Sequence, residues 1–213
     1  MTTVVVIAKE TVPGKVKTRL HPPFSLEQAA ELAAASLSDT LDAVVALGAT
    51  DRILYFDGTL LPERATKFRV VPQVVGSLDE RIAAIFDLCN GPTLLVGMDT
   101  PQLSREHLAD VFDNWSPDVD AWFGPATDGG FWALGLREPN GDLVRGVPMS
   151  RDDTGAIQLC RLAAAGLRVS LLPPLTDVDT LDSANEVAAI APDGAFAVTL
   201  ARIAMREPIG APS

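Results

Sequence analysis

The strongest constraint on the fold is an alternation of short β-branched runs with longer amphipathic segments. Residues 3–8, "TVVVIA", form an apolar run of the kind that becomes a strand buried on both faces. The segment "SLEQAAELAAASLSDTLDAVVALG" then opens with a capping box, Ser25 with Gln28, and stops at Gly48. Its Leu26, Ala30, Ala33, Leu37, Leu41 and Val44 recur every three or four residues and make one helical face. The same alternation continues. "RILYF" and "FRVVPQ" read as strands, "SLDERIAAIFDLC" as a helix with a capping box at Ser77 and Glu80, and "TLLVGMD" as a buried strand. A helix opening at Ser104, strands "VDAWFG" and "FWALGL", a helix in "DTGAIQLCRLAAAG" ending at Gly166, and a strand "LRVSLL" follow. Two helical segments, from about Asp182 and about Gly194, close the chain.

Strands alternating with helices of this length pair in parallel through right-handed crossovers, so the fold class is α/β. No internal repeat, low-complexity tract or long Pro/Gly/Ser linker divides the sequence, which predicts a single domain over 1–213 with a frayed tail from about residue 207. The chain has 47% apolar and 21% charged residues over 213 positions, enough to build a sizeable core. Its formal net charge of -11 argues against broad binding to nucleic acid or an anionic membrane. "MTTVVVI" lacks the features of a signal peptide and no apolar run approaches about 18 residues, so the expected location is the cytoplasm. Cys89 and Cys160 lack metal-site spacing and read as buried thiols, and His21 and His107 form no metal pair.

In an open α/β sheet, ligands bind at the carboxyl ends of the strands. The loop after the first strand, "VPGKVKTRLHP", carries Lys15, Lys17 and Arg19 with no acid among them. An extended conformation would place these three on one face and Val16, Thr18 and Leu20 on the other. Such a strip serves either as an anion site or as a guarded edge strand. It is no P-loop: GxxxxGK[ST] would need glycine at position 9 and Ser or Thr at position 16, where the chain has Lys9 and Val16. GxGxxG is absent too.

Two later loops are acidic. "GMDTPQL" places Asp99 just after a strand, where a carboxylate can offer oxygen to Mg²⁺ or Mn²⁺ or simply cap a turn. "TDVDTLD" carries Asp177 and Asp179, which an extended chain would put on one side, and Asp182 is a separate candidate cap for the next helix. The "DVD" at 118–120 precedes a strand and so falls at the wrong edge of the sheet. In "GPATDGGFWALG", Asp128, Gly129 and Gly130 form a tight turn in which Asp128 either faces a substrate or satisfies the turn backbone. Trp122, Phe131 and Trp132 flank it as core or pocket wall.

"AKETVPGKVKTRL", "GMDTP", "GPATDGGFWALGL" and "LLPPLTDVDT", in this order, resemble a bacterial family of GT-A-like transferases. That family is related to the 2-phospholactate guanylyltransferases and sits in the nucleotide-diphospho-sugar transferase superfamily. The resemblance runs from about residue 3 to about residue 190. It implies a three-layer α/β/α sandwich with a mostly parallel mixed sheet. It assigns phosphate contacts to Lys15, Lys17 and Arg19 with Lys9 as a lesser candidate, metal ligation to Asp99 and Asp179, and an acceptor pocket bordered by Asp128, Gly129 and Gly130. Lys17, Arg19 and Asp99 would then carry catalysis.

The implied activity is transfer from a nucleoside triphosphate or nucleotide sugar to a small-molecule acceptor, assisted by Mg²⁺ or Mn²⁺. The contrasting reading is a nucleotide-binding regulatory protein that keeps the fold without turnover. It is motivated by "PMSRDDTG", where the family often has Trp-Ser ahead of the helix. The chain also departs from the family at Thr11 or Val12 and at Leu181, positions where proline is common. Apolar residues near Trp115 and the C-terminal helix are candidate faces for a homodimer.

Overall fold

A computed structural model describes residues 2–49, 51–112 and 115–206; the tail expected to fray from residue 207 lies outside them. The first strand, β1 (Thr3–Lys9), lies inside the sheet with Val4, Val5 and Val6 wholly buried, as expected of a β-branched run covered on both faces. Helix α1 (Leu26–Ala46) starts at the predicted capping box, with Ser25 Oγ accepting from Gln28 N and Gln28 Oε1 accepting from Ser25 N.

Strands β2 (Asp51–Asp57) and β3 (Arg69–Pro72) precede α2 (Leu78–Leu88), whose cap is the expected Ser77–Glu80 box. Strand β4 (Thr93–Val96) is followed by the segment in which a helix from Ser104 was expected. Among the described residues a 3₁₀ turn at Glu106–Leu108 leads there into a single α-helical turn, α3 (Ala109–Phe112). The chain continues through β5 (Ala121–Pro125), β6 (Phe131–Leu136), α4 (Thr154–Ala164), β7 (Val169–Leu171), α5 (Leu181–Ile190) and α6 (Ala195–Arg206).

The seven strands make one sheet in the order β3-β2-β1-β4-β6-β5-β7. Six run the same way; β6 alone is antiparallel, paired with β4 on one side and β5 on the other. Alternation along β1 divides the core. Val4, Val6 and Ala8 pack with Leu37, Leu41 and Val44 of α1, whereas Val5 joins Ile53, Tyr55 and Ile82, Ile85 and Phe86 of α2. Helices α5 and α6 pack against α1 through Val187, Phe196, Leu200 and Ile203. The result is the three-layer α/β/α sandwich implied by the resemblance.

The basic loop departs from the extended strip. Gly14 (φ 77°) and Lys17 (φ 47°) take left-handed conformations, and Thr18–Leu20 closes into a 3₁₀ turn. Val16 and Leu20 are buried as expected, but Thr18 is exposed, because a turn does not alternate its side chains strictly. The cysteines also differ from expectation: Cys89 is half-buried and Cys160 exposed, on the outward side of α4. Trp115, a candidate dimer residue, is used internally, edge-on to Trp122 with Arg137 over its ring. Among the described residues no helix is long and apolar enough to cross a membrane.

Candidate nucleotide and metal site

The carboxyl ends of β1, β4, β5 and β7 lie on one edge of the sheet, and the loops leaving them surround a cleft of about 780 Å³. That is within the usual size range for ligand pockets. Lys9 ends β1, Lys17 and Arg19 come from the loop after it, Asp99 from the loop after β4, Asp128 and Gly130 from the β5–β6 turn, and Asp177 and Asp179 from the loop after β7. Asp118 and Asp120 lie at the opposite edge, paired with Arg168, as their place before β5 requires.

The first and last loops meet through Lys17. Its side chain is only 6% exposed, and its Nζ lies 2.9 Å from Asp99 Oδ1 and 2.9 Å from Asp179 Oδ1. Burial alone would depress this ammonium, but the carboxylates of Asp99 and Asp179 more than offset it and hold the pKa above its ordinary value. Arg19, 74% exposed, donates to Asp179 Oδ2 at 3.2 Å. Burial pushes Asp179 upward, but Lys17 and then Arg19 outweigh it and the acid stays below its ordinary range. The left-handed turn at Lys17 aims the ammonium inward while Arg19 stays at the rim.

Hydrogen bonds clasp the two acidic loops together: Val178 N donates to the Asp99 carbonyl at 3.2 Å and Gln102 Nε2 to the Thr176 carbonyl at 2.7 Å, while Ser36 Oγ of α1 donates to the Met98 carbonyl at 3.0 Å and anchors the first of these loops. This clasp forces Asp177 toward Asp99. Asp177 Oδ1 is buried with no hydrogen-bond partner, and burial followed by repulsion from Asp99 pushes the acid up to about 7. An extended chain would put Asp177 and Asp179 side by side, but only the tertiary structure distinguishes them: Asp179 accepts from two cations, whereas Asp177 Oδ1 has no hydrogen-bond partner among the described residues.

The remaining expected residues are placed as follows. Lys9 lines the cleft and donates from Nζ to the Lys15 carbonyl at 3.2 Å. Lys15 itself is exposed and does not line the cleft. Asp128 Oδ1 accepts from Gly130 N at 2.9 Å, so this carboxylate serves the turn and also fronts the cleft. Gly129 (φ 90°) lies behind the wall, where a Cβ would overlap the Asp152 carbonyl, and its own carbonyl accepts from Gly155 N at 2.8 Å.

Among the lining residues that escaped sequence reasoning are Gln73, Arg81, Arg151 and Asp152. Arg81 donates to Gly76 O at 2.9 Å, Asp57 at 2.8 Å and Gln73 Oε1 at 3.2 Å, which fixes the β3 side of the mouth. Arg151 and Asp152 fall in "PMSRDDTG", a stretch that stood out only as a departure from the family pattern.

A profile of the family described as "Uncharacterized protein conserved in bacteria (DUF2064)" matches residues 31–151. The chain belongs to this family. It is also similar, at 25% identity and a TM-score of 0.83, to a protein from Desulfovibrio desulfuricans G20 that has been proposed to be a nucleotide-diphospho-sugar transferase; 94% of each chain is covered. A nucleotidyl transferase from Methanothermobacter thermautotroptrophicus matches at 14% identity and a TM-score of 0.60, over 89% of this chain and 98% of that one. The 2-C-methyl-D-erythritol 4-phosphate cytidylyltransferase from Thermus thermophilus matches at 16% identity and a TM-score of 0.55, over 90% and 100%. No curated protein matches the chain. The fold is therefore that of the nucleotide-diphospho-sugar transferases and nucleotidyltransferases.

Proposed function

We propose that the protein is a metal-assisted nucleotidyltransferase whose donor is a nucleoside triphosphate. The observation that carries this reading is the convergence of Lys9, Lys17 and Arg19 with Asp99, Asp177 and Asp179 at one strand edge. Cations at the end of β1 and on the loop after it suit the phosphates of a donor and, above all, a leaving pyrophosphate, whose charge grows as the bond breaks. A nucleotide sugar would leave a smaller charge for the same three cations to answer. Two of the solved structures with this fold are named as nucleotidyl or cytidylyl transferases, which supports the same reading.

The donor set fits a hard divalent cation. Asp177 Oδ1 is a buried oxygen lacking a partner, Asp99 lies beside it, and both are carboxylates. Among the described residues no three His, Cys, Asp or Glu side chains form a cage by themselves. Two carboxylates completed by substrate phosphate oxygens are the usual arrangement for Mg²⁺, and Mn²⁺ accepts the same ligands. Asp99 and Asp177 would hold the ion, with Asp179 steering Lys17 and Arg19. When bound, the ion supplies charge neutralisation on phosphate oxygens. The protein's own residues orient the triphosphate: Lys17 from the floor, Arg19 at the rim and Lys9 along β1.

The test is calorimetric titration of nucleoside triphosphates with Mg²⁺ or with EDTA, on the parent and on Lys17→Met and Arg19→Ala. A nucleotide at 100 times its dissociation constant should add about 2.7 kcal/mol of stability. Losing a charged contact costs about 1.5–3 kcal/mol, so each variant should weaken binding roughly 10-fold or more. Arg19 is exposed, so its variant should fold even where Lys17→Met does not. Absence of nucleotide binding, or equal binding in EDTA and by both variants, would overturn the proposal.

A further inference from the structure

One side chain joins both acidic loops of the cleft. Lys17 Nζ donates to Asp179 Oδ1 and lies equally close, 2.9 Å, to Asp99 Oδ1, with its side chain almost wholly buried. Among the described residues Lys17 is the only cation in contact with the Asp99 carboxylate, whereas Asp179 also accepts from Arg19. Two other lining cations are placed differently. Lys9 Nζ donates to the Lys15 carbonyl and contacts no carboxylate among the described residues, and Arg19 is exposed at the rim. Both can meet a phosphate where they stand, but Lys17 is committed to the acids.

An ammonium buried between two carboxylates holds the place of a positive ion, since neither acid can be buried cheaply without one. It neutralises Asp99, and it repels any divalent ion that would share that carboxylate, because burial leaves little water to screen two cations a few ångströms apart. The compensation is incomplete at Asp177, whose buried Oδ1 receives no hydrogen bond from Lys17 or from any other described residue. A cation brought to Asp177 therefore meets an open oxygen on that side and the Lys17 ammonium on the Asp99 side.

We infer that Lys17 is the resident cation of this site and couples the two ligands: its ammonium must leave Asp99 for the phosphates of the donor before Asp99 is free to ligate a divalent ion. The inference rests on reading Asp99 and Asp177 as the ligands of that ion. The exchange needs a swing of the Lys17 side chain alone, on a flexible four-carbon stem that carries three N–H donors. Triphosphate oxygens provide the acceptors that Lys17 gives up, and Asp99, stripped of its ammonium, turns a full negative charge toward the ion. Without nucleotide no phosphate receives the ammonium, so Lys17 stays on Asp99 and keeps the ion weakly bound. Linkage then requires nucleotide and ion to tighten one another's binding by the same factor.

The test is Mn²⁺ binding without nucleotide, read from the electron paramagnetic resonance signal of the free ion. Lys17→Met should bind Mn²⁺ about 10-fold more tightly than the parent, or better, while binding nucleotide more weakly in calorimetry. General damage to the fold would weaken both, so the opposed signs are the signature. On the parent alone, acetylation of Lys17 by acetic anhydride, measured by mass spectrometry against the exposed Lys15, should rise with Mn²⁺ and fall again when a nucleoside triphosphate is added. That arm stands even where Lys17→Met does not fold. Equal or weaker Mn²⁺ affinity in the folded variant overturns the inference, and so does Lys17 labelling that is unchanged at saturating Mn²⁺. Mn²⁺ binding by neither protein removes the metal reading and this inference together. Failure of the donor reading shows instead as absent nucleotide binding in calorimetry, a separate outcome from the nucleotide-free Mn²⁺ comparison.

Discussion

Replacing Asp177 by asparagine should stabilise the metal-free protein at alkaline pH while impairing its use of a divalent cation. Burial of Asp177 and then repulsion from the neighbouring Asp99 raise the acid from its ordinary 3.8 to about 7. An acid raised on folding binds its proton more tightly in the native state, so between pH 3.8 and 7 the native state holds a proton that the unfolded chain has released. Stability therefore falls as pH rises through that window. At about 1.4 kcal/mol per pH unit the loss reaches about 4 kcal/mol above pH 7, and residual solvent contact trims the recoverable part to about 2–4 kcal/mol.

Asparagine is nearly isosteric and uncharged, so it removes this loss. Denaturant titration in EDTA should show Asp177→Asn more stable than the parent by about 2–4 kcal/mol at pH 8, with the gain at pH 5 falling below half of that. Magnesium should then stabilise the parent more than the variant. A variant no more stable than the parent at pH 8, or a gain independent of pH, would refute the electrostatic account of this loop.

Two further predictions concern the frame that holds the site. Gly129→Ala places a Cβ against the Asp152 carbonyl at a left-handed φ, which should cost about 3 kcal/mol and lower Tm by about 6–12 °C; an unchanged melting curve would show that the 150–153 loop is not packed as described. Asp39 receives the Ala195 and Phe196 N–H groups at 2.8 Å each, so Asp39→Ala should cost about 1–2 kcal/mol and speed amide exchange in the first turn of α6, and unaltered exchange there would count against its role as cap.

Much of the architecture was legible because it is written in local pattern. The capping boxes at Ser25 and Ser77 mark the helix starts, and the β-branched "TVVV" forms a central strand, because cap chemistry and side-chain period act over a few residues. The reversed strand was not read from alternation: "FWALGL" has the same composition whichever way it runs, and β6 is antiparallel because the tight Asp128–Gly130 turn returns the chain beside β5. Of the helix expected after Ser104, the described residues show a 3₁₀ segment and then one α-helical turn.

The sequence by itself determined an α/β chain with cations after the first strand and acids after two later ones. The tertiary structure decided how these charges are shared. Lys17 meets an aspartate 162 residues away, Arg19 stays at the rim, and Lys15 falls outside the cleft, none of which follows from spacing along a loop. The distinction between Asp179 and Asp177 has the same origin. Two residues apart in one acidic loop, one accepts from two cations and the other is desolvated against Asp99, because burial and charge pairing depend on what the fold brings near rather than on neighbours in sequence.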